Sequence, residues 1–344
     1  MTSVSLPRRV QVGFAITQHC NLRCPHCIRD DITTVRSLPS GLFRSVVNQA
    51  RGLFSDVGVS LTGGEPLLHP ELDELVDYLA GLDVPWRLVT NGWHTRRALT
   101  TLEAYPPEFV RLSLSGVDRP SHDEIRGRGS FQRVLLSAAL LTAREIRFGL
   151  SLIVDRRTVG SLAAAATLAR ELGALELQYI LPQPVFGSLD QGTELPLERW
   201  ADVRDEVHRL GTAGSRTRLH LAYGAPFEGE ERLCPAKSFE HLYVDARGRL
   251  CTCCLLSDYG ANESDVVADL SEVSLAEAWD QHVRKVRELT VRSVRREDPA
   301  DPLNPFPCLR CARSCGKLPD RGVLEAGGLV RGALPVLPTA LARA

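Results

Sequence analysis

Val10-Gln11-Val12-Gly13-Phe14-Ala15-Ile16-Thr17-Gln18-His19-Cys20-Asn21-Leu22-Arg23-Cys24-Pro25-His26-Cys27 is a β-rich run that empties directly into three cysteines. Five further β-rich runs follow, at residues 57–61, 86–90, 110–114, 147–154 and 175–180. Helical patterns separate them: Leu72, Leu75, Val76 and Leu79 recur at i, i+3, i+4 and i+7, with Pro70 at the opening and Gly81 just past the end. Six strands alternating with helices predict an α/β chain built on a parallel sheet. Residues 181–195 read as loop and 197–210 as helix. The small, polar stretch 211–216 suggests a domain boundary. From Gly316 onward the chain is Gly-, Pro-, Leu- and Ala-rich and reads as a docking or frayed tail.

The 344 residues are 44% hydrophobic and 24% charged, with 41 Lys+Arg against 42 Asp+Glu, enough for one large or two modest domains. A net charge of -1 without blocks of like charge argues against a protein that grips nucleic-acid phosphates. No apolar run reaches about 18 residues and the first ten lack a signal peptide's apolar stretch, so the expectation is a cytoplasmic protein with no membrane partner. Disulfides are uncommon in that compartment, and ten cysteines need another use. Their distribution suggests one: Cys20, Cys24 and Cys27 stand together, a cysteine-free body follows, and Cys234, Cys251, Cys253, Cys254, Cys308, Cys311 and Cys315 crowd into the last third. Core cysteines would scatter. Two metal-bearing regions are expected.

Cys-x3-Cys-x2-Cys supplies three thiolates, which can ligate three irons of a [4Fe-4S] cube and leave the fourth open to a chelating substrate. Structural zinc wants four closed ligands; His19 or His26 could complete such a set, which keeps zinc as an alternative.

The run Cys20 to Cys27 resembles the signature of the radical S-adenosylmethionine (radical SAM) enzymes. Thr62-Gly63-Gly64-Glu65-Pro66 after the second strand resembles the family's Gly-Gly-Glu motif. Thr90-Asn91-Gly92 after the third, and Ser113-Leu114-Ser115-Gly116 at the fourth, stand where the family contacts the ribose and the methionine end. The resemblance implies a partial (β/α)6 TIM-like barrel with its site at the C-terminal strand ends. It implies that Cys20, Cys24 and Cys27 bind the cluster and that the methionine group of S-adenosylmethionine chelates the open iron. Gly63, Gly64, Glu65, Asn91, Ser113 and Arg126 become cofactor-binding candidates, Arg126 for the carboxylate. Cleavage of the cofactor would yield a 5'-deoxyadenosyl radical that takes hydrogen from the substrate. Relatives often carry Asp-Gly where Ser115-Gly116 stands, so Ser115 receives no role. Ser121-x-x-Glu124 reads as a capping box. His26, in a slot often filled by an aromatic near the adenine, reads as packing.

Cys234, followed after 18 residues by Cys253 and later by Cys308-x2-Cys311-x3-Cys315, resembles a SPASM or shortened twitch domain, a small C-terminal cysteine-rich module. The resemblance implies one auxiliary [4Fe-4S] cluster, with two an alternative. Its favoured ligands are Cys234, Cys253, Cys308 and Cys311, with Cys251, Cys254 and Cys315 as substitutes. Residues 242–250 read as a hairpin that would bring Cys234 and Cys253 together. Residues 282–297 form a basic amphipathic helix pattern read as a solvated face. The expected division is 8–215 for the barrel, 225–320 for the auxiliary module and 321–344 for the tail.

The resemblance leaves the reaction open. The leading expectation is an oxidoreductase dehydrogenating an alcohol of a sugar or aminocyclitol in antibiotic biosynthesis. Alternatives are an epimerase with Cys254 as hydrogen donor, and modification of a ribosomally made peptide. The first strand begins by residue 10, so no leader-recognition domain is expected ahead of it. Flavodoxin or ferredoxin would supply electrons. A non-enzymatic iron-sulfur or zinc module is the outsider.

Overall fold

The computed structural model describes residues 9–29, 36–181, 195–196, 198–211, 216–222, 234–257, 262–294 and 307–317. The expected loop at 182–194, most of the boundary at 211–216 and the tail 321–344 lie outside them.

The elements run β1 (Arg9–Thr17), α1 (Ser40–Leu53), β2 (Asp56–Gly63), α2 (Leu72–Gly81), β3 (Trp86–Thr90), α3 (Leu99–Ala104), β4 (Phe109–Leu114), α4 (Arg119–Arg126), α5 (Ser130–Ala143), β5 (Phe148–Ile153), α6 (Leu162–Glu171), β6 (Glu176–Ile180), α7 (Glu198–Gly211) and β7 (Arg218–Leu221). A cysteine-rich region follows, with β8 (His241–Val244), β9 (Arg249–Cys251), β10 (Val266–Asp269), α8 (Leu275–Val294) and α9 (Pro307–Ser314). The ten strands of the described residues join one sheet in the order β10-β9-β8-β1-β2-β3-β4-β5-β6-β7. β1 to β7 are parallel throughout, forming the partial α/β barrel. β8 adds to the free side of β1, also in parallel, and the β8–β9 and β9–β10 pairs are antiparallel. The six expected strands are all present. The sheet also runs on without a break into the cysteine-rich region.

Alternation along the strands sorts the side chains. In β4, Val110, Leu112 and Leu114 are fully buried, whereas Phe109, Arg111 and Ser113 on the other face are only half-buried. The buried face meets the helices; the Phe14 and Phe43 rings, 4.7 Å apart, hold α1 on β1. Burial of each such side chain contributes about 1.5–3 kcal/mol. The opposite face is the lumen, and it is polar. Ser113, Ser151, Gln178 and His220 form one row by register across β4 to β7. A lower row closes on an ion pair between Arg111 and Glu176, with Arg218 Nη2 3.0 Å from the same carboxylate. Gly149 lets that pair form: a Cβ there would sit 2.7 Å from both Glu176 Cγ and Phe109 Cζ. From β8, His241 and Tyr243 lie against Gly13, whose absent side chain makes room for both rings.

Two local expectations are corrected. The capping box is Asp118 with Ser121, not Ser121 with Glu124: Asp118 Oδ1 accepts the Ser121 N–H at 2.9 Å. The helix starts one turn earlier than read because Pro120 suits its first turn. The basic helix begins earlier too, at Leu275. It is more than a solvated face, since Leu275, Ala278, Trp279, His282, Val286 and Leu289 are buried.

Candidate functional site

The N-terminal cysteines lie on the loop that leaves β1 at Thr17. The Cys20 thiol accepts the Leu22 N–H at 3.4 Å, and the Cys27 N–H donates to Cys24 O at 3.0 Å, so the loop turns back on itself. Its other support is the Gly63-Gly64 corner. Gly63 has φ of 130°, and a Cβ there would stand 2.3 Å from Thr17 O; one at Gly64 would stand 2.1 Å from His19 O. Two glycines therefore let the end of β2 touch the cysteine loop backbone to backbone, and the Gly64 and Glu65 N–H groups donate to Thr17 O (2.6 Å) and His19 O (2.8 Å).

Glu65 is fully buried. Its Oε1 accepts from Thr90 Oγ1 (2.6 Å) and Leu67 N (3.2 Å), and its Oε2 from Asn91 N (2.8 Å). Burial pushes its pKa up, while these three donors favour the charged form. A carboxylate has about four acceptor positions, so one stays open on Oε2. Asn91 Nδ2 in turn reaches Asn21 Oδ1 at 3.1 Å and the Cys20 thiol at 3.9 Å. The ends of β2 and β3 thus converge on the cysteine loop.

Arg126 comes from the last turn of α4 and donates from Nε to Ser115 Oγ at 2.6 Å. Its charge acts on Cys24, Glu65 and His26. Neither ring nitrogen of His26 has a hydrogen-bond partner among the described residues, and burial drives its pKa well down. Ser113 faces the lumen, below this group. Ser115 and Thr90 are the residues that sequence reasoning passed over, although both stand inside the short motifs it singled out.

Cys234, Cys253, Cys308 and Cys311 lie in one another's field: Cys253 and Cys311 act on Cys234, while Cys253, Cys234 and Cys311 act on Cys308. The resemblance to a SPASM module names the same four as its favoured ligands. Cys251 is elsewhere, buried with Ala15, Tyr243 and Ala246. Cys315 is buried beside Cys311, and Cys254 is exposed next to Cys253.

Burial pushes up the thiols of Cys20, Cys24, Cys234, Cys308 and Cys311, and at Cys253 a hydrogen bond with Cys254 leads a shift in the same direction. The Cys20 pKa is pushed up to about 11, with Glu65, Cys24 and Cys27 adding to the effect of burial. Crowded, desolvated thiols of this kind suit a polynuclear iron centre, whose positive charge supplies the compensation that the protein does not. Among the described residues, no three His, Cys, Asp or Glu side chains are close enough to hold a single metal ion. A cube spreads its ligands wider than one tetrahedral ion does.

Comparison with known proteins points the same way. Residues 14–167 match the family model of the radical SAM superfamily. The PqqA peptide cyclase of Gluconobacter oxydans is 30% identical over 277 residues, covering 77% of this chain and 75% of the relative. The chain is a radical SAM enzyme. It uses a [4Fe-4S] cluster and S-adenosylmethionine and carries an auxiliary-cluster region of the SPASM type. The subtilosin biosynthesis protein AlbA of Bacillus subtilis is 30% identical over 186 residues, 52% of this radical SAM chain and 40% of AlbA. In general the chain spans about half the length of the curated relatives it matches, 40% to 54% for three of them. The crystal structure of Streptococcus suis SuiB bound to the precursor peptide SuiA has the same fold, with TM-score 0.69 at 15% identity over 88% of this chain and 70% of SuiB. Among the described residues no helix is long and apolar enough to cross a membrane.

Proposed function

We propose that this radical SAM enzyme modifies a ribosomally made precursor peptide. The observation that carries the reading is the likeness to the PqqA peptide cyclase, which extends over three quarters of that protein and so beyond the barrel. AlbA and SuiB, by their names, support it. The expected sugar or aminocyclitol dehydrogenation has no comparable support and gives way to what stood as its alternative.

In this reading Cys20, Cys24 and Cys27 hold the cleaving cluster, and the barrel runs past the expected boundary at residue 215 to take in β7, which pairs in parallel with β6. When bound, the cluster and cofactor supply the radical that removes a substrate hydrogen. The chain's own residues position the reactants. Glu65 offers its remaining acceptor position on Oε2 to the methionine ammonium, Gly63 and Gly64 shape the backbone around it, Asn91 braces the cysteine loop, and Arg126, aimed by Ser115, meets the carboxylate. Residues 225–320 hold one auxiliary cluster through Cys234, Cys253, Cys308 and Cys311, with flavodoxin or ferredoxin as electron donor. The row Ser113, Ser151, Gln178 and His220, of which Ser151 is buried and the others half-buried, offers neutral hydrogen-bonding groups to the peptide backbone and amides. Cys254, exposed and outside the group of four, is the hydrogen donor if the modification is epimerisation.

The test is anaerobic reconstitution followed by incubation with each short peptide encoded in the neighbourhood of the gene. Crosslinking returns a peptide two hydrogens lighter with 5'-deoxyadenosine; epimerisation returns the same mass in ordinary water and one deuterium in heavy water. Oxidation of a sugar alcohol, with every such peptide untouched, would overturn the proposal.

A further inference from the structure

Just beyond the Asn91–Gly92 corner, the barrel rim carries an open cleft of about 410 Å³ that has no part in the site above. Trp93, His94, Arg96, Arg97 and Arg133 line it. The three arginines are exposed, and among the described residues none of them has a carboxylate partner. The Arg133 guanidinium stands over the Trp93 ring, 5.5 Å from its centre. The platform beneath is fixed: Ser137 Oγ lies 2.7 Å from Gly92 O and 2.9 Å from Thr95 Oγ1, and the Trp93 N–H donates to Asn91 Oδ1 at 2.8 Å. That same Asn91 reaches Asn21 in the cysteine loop. Positive charge is therefore concentrated, unneutralised, one corner away from the candidate site.

We infer that this cleft binds an acidic segment of the peptide substrate, Arg96, Arg97 and Arg133 taking its carboxylates and the Trp93 indole packing against its chain. The inference rests on the peptide reading of the function. A concave cleft with an indole wall suits an extended segment better than the convex face of an electron-donor protein. Its position beside Asn91 delivers the neighbouring residues of that segment toward the cysteine loop. Guanidiniums in fork geometry select carboxylates over amides.

The test uses the cluster-loaded protein and a fluorescein-labelled peptide of alternating glutamate and glycine, followed by anisotropy. Saturable binding that weakens with salt is expected, with Arg97→Glu and Arg133→Glu each weakening it about tenfold, Arg97→Gln and Arg133→Gln weakening it less, and a glutamine–glycine peptide failing to bind. Cofactor cleavage without peptide should match the parent in all four variants. Equal binding of the glutamine peptide, or binding indifferent to the arginines, overturns the cleft and leaves the peptide-modifying reading standing. So does slower reduction by flavodoxin in the variants with peptide binding intact, which assigns the surface to the electron donor. Arginine-dependent binding with no precursor peptide ever modified overturns the substrate assignment and the function together, while the carboxylate site remains.

Discussion

Ser115 Oγ accepts the Nε–H of Arg126 at 2.6 Å, joining the end of β4 to the last turn of α4 across eleven residues of chain. Ser115 is 1% exposed, so the bond is shielded from water. A serine at a position where relatives often carry aspartate thus aims the guanidinium without neutralising it. Ser115→Ala should leave the fold intact and weaken S-adenosylmethionine binding about tenfold, the cost of one hydrogen bond to a charged group. Calorimetric titration of the reconstituted protein checks this; unchanged affinity would show that Arg126 needs no such guide.

Glu65→Gln places an amide NH2 against the donors of Thr90, Asn91 and Leu67, one of which must lose its acceptor. The variant should lose about 1–3 kcal/mol of stability and most cofactor cleavage. Urea melts of the cluster-free protein separate the two effects: a midpoint equal to the parent's would mean that Glu65 does not tie β2 to β3.

Gly64→Ala has no room, because its Cβ would meet the backbone oxygen of His19. The cysteine loop must move, and the purified variant should carry less iron while the auxiliary group keeps its share. Full iron content would argue that the loop is free to adjust.

Among the late cysteines, Cys308→Ala and Cys311→Ala should each remove about four irons per chain after reconstitution, whereas Cys251→Ala should retain them. Iron and sulfide analysis decides. Loss of iron from Cys251→Ala alone would redraw the ligand set.

Acid should destabilise the fold through two buried histidines. Burial, aided by the charge of His241, lowers the His282 pKa to about 4; burial and then Arg126 lower that of His122 to about 4. Each binds its proton only in the unfolded chain between its unfolded pKa of about 6.5 and about 4. Stability is therefore full above pH 6.5 and lost as pH falls through that window, by up to about 1.4 kcal/mol per pH unit for each histidine. His282→Phe, which keeps the ring beside Trp279 and Phe239, should flatten the urea midpoint's pH dependence by one proton; an unaltered slope would remove His282 from the account.

The strands that alternate with helices were legible because one face of each is buried and apolar. Val110, Leu112 and Leu114 are enough to announce β4. β7, with Arg218, Leu219, His220 and Leu221, is too short and too polar to announce itself, since its inner face looks into the lumen. Glu65 and Asn91 were legible through their neighbours in the motifs, yet the bond between them was not, because only the parallel pairing of β2 with β3 brings them together. The resemblance named four favoured late cysteines, and spacing could not exclude the others. Cys251 is set apart by strand alternation in β9, which turns it toward Ala15 and Tyr243, and that depends on how β8 docks.

The parallel ladder between β8 and β1 has a mechanical consequence. Four registered pairs, from Gln11 with His241 to Phe14 with Val244, fasten the hairpin that follows Cys234 to the strand that leads into Cys20. Neither cysteine region can swing away from the other by a hinge without tearing that ladder. The spacing between the start of one cysteine region and the start of the other is thus set once, when the sheet folds.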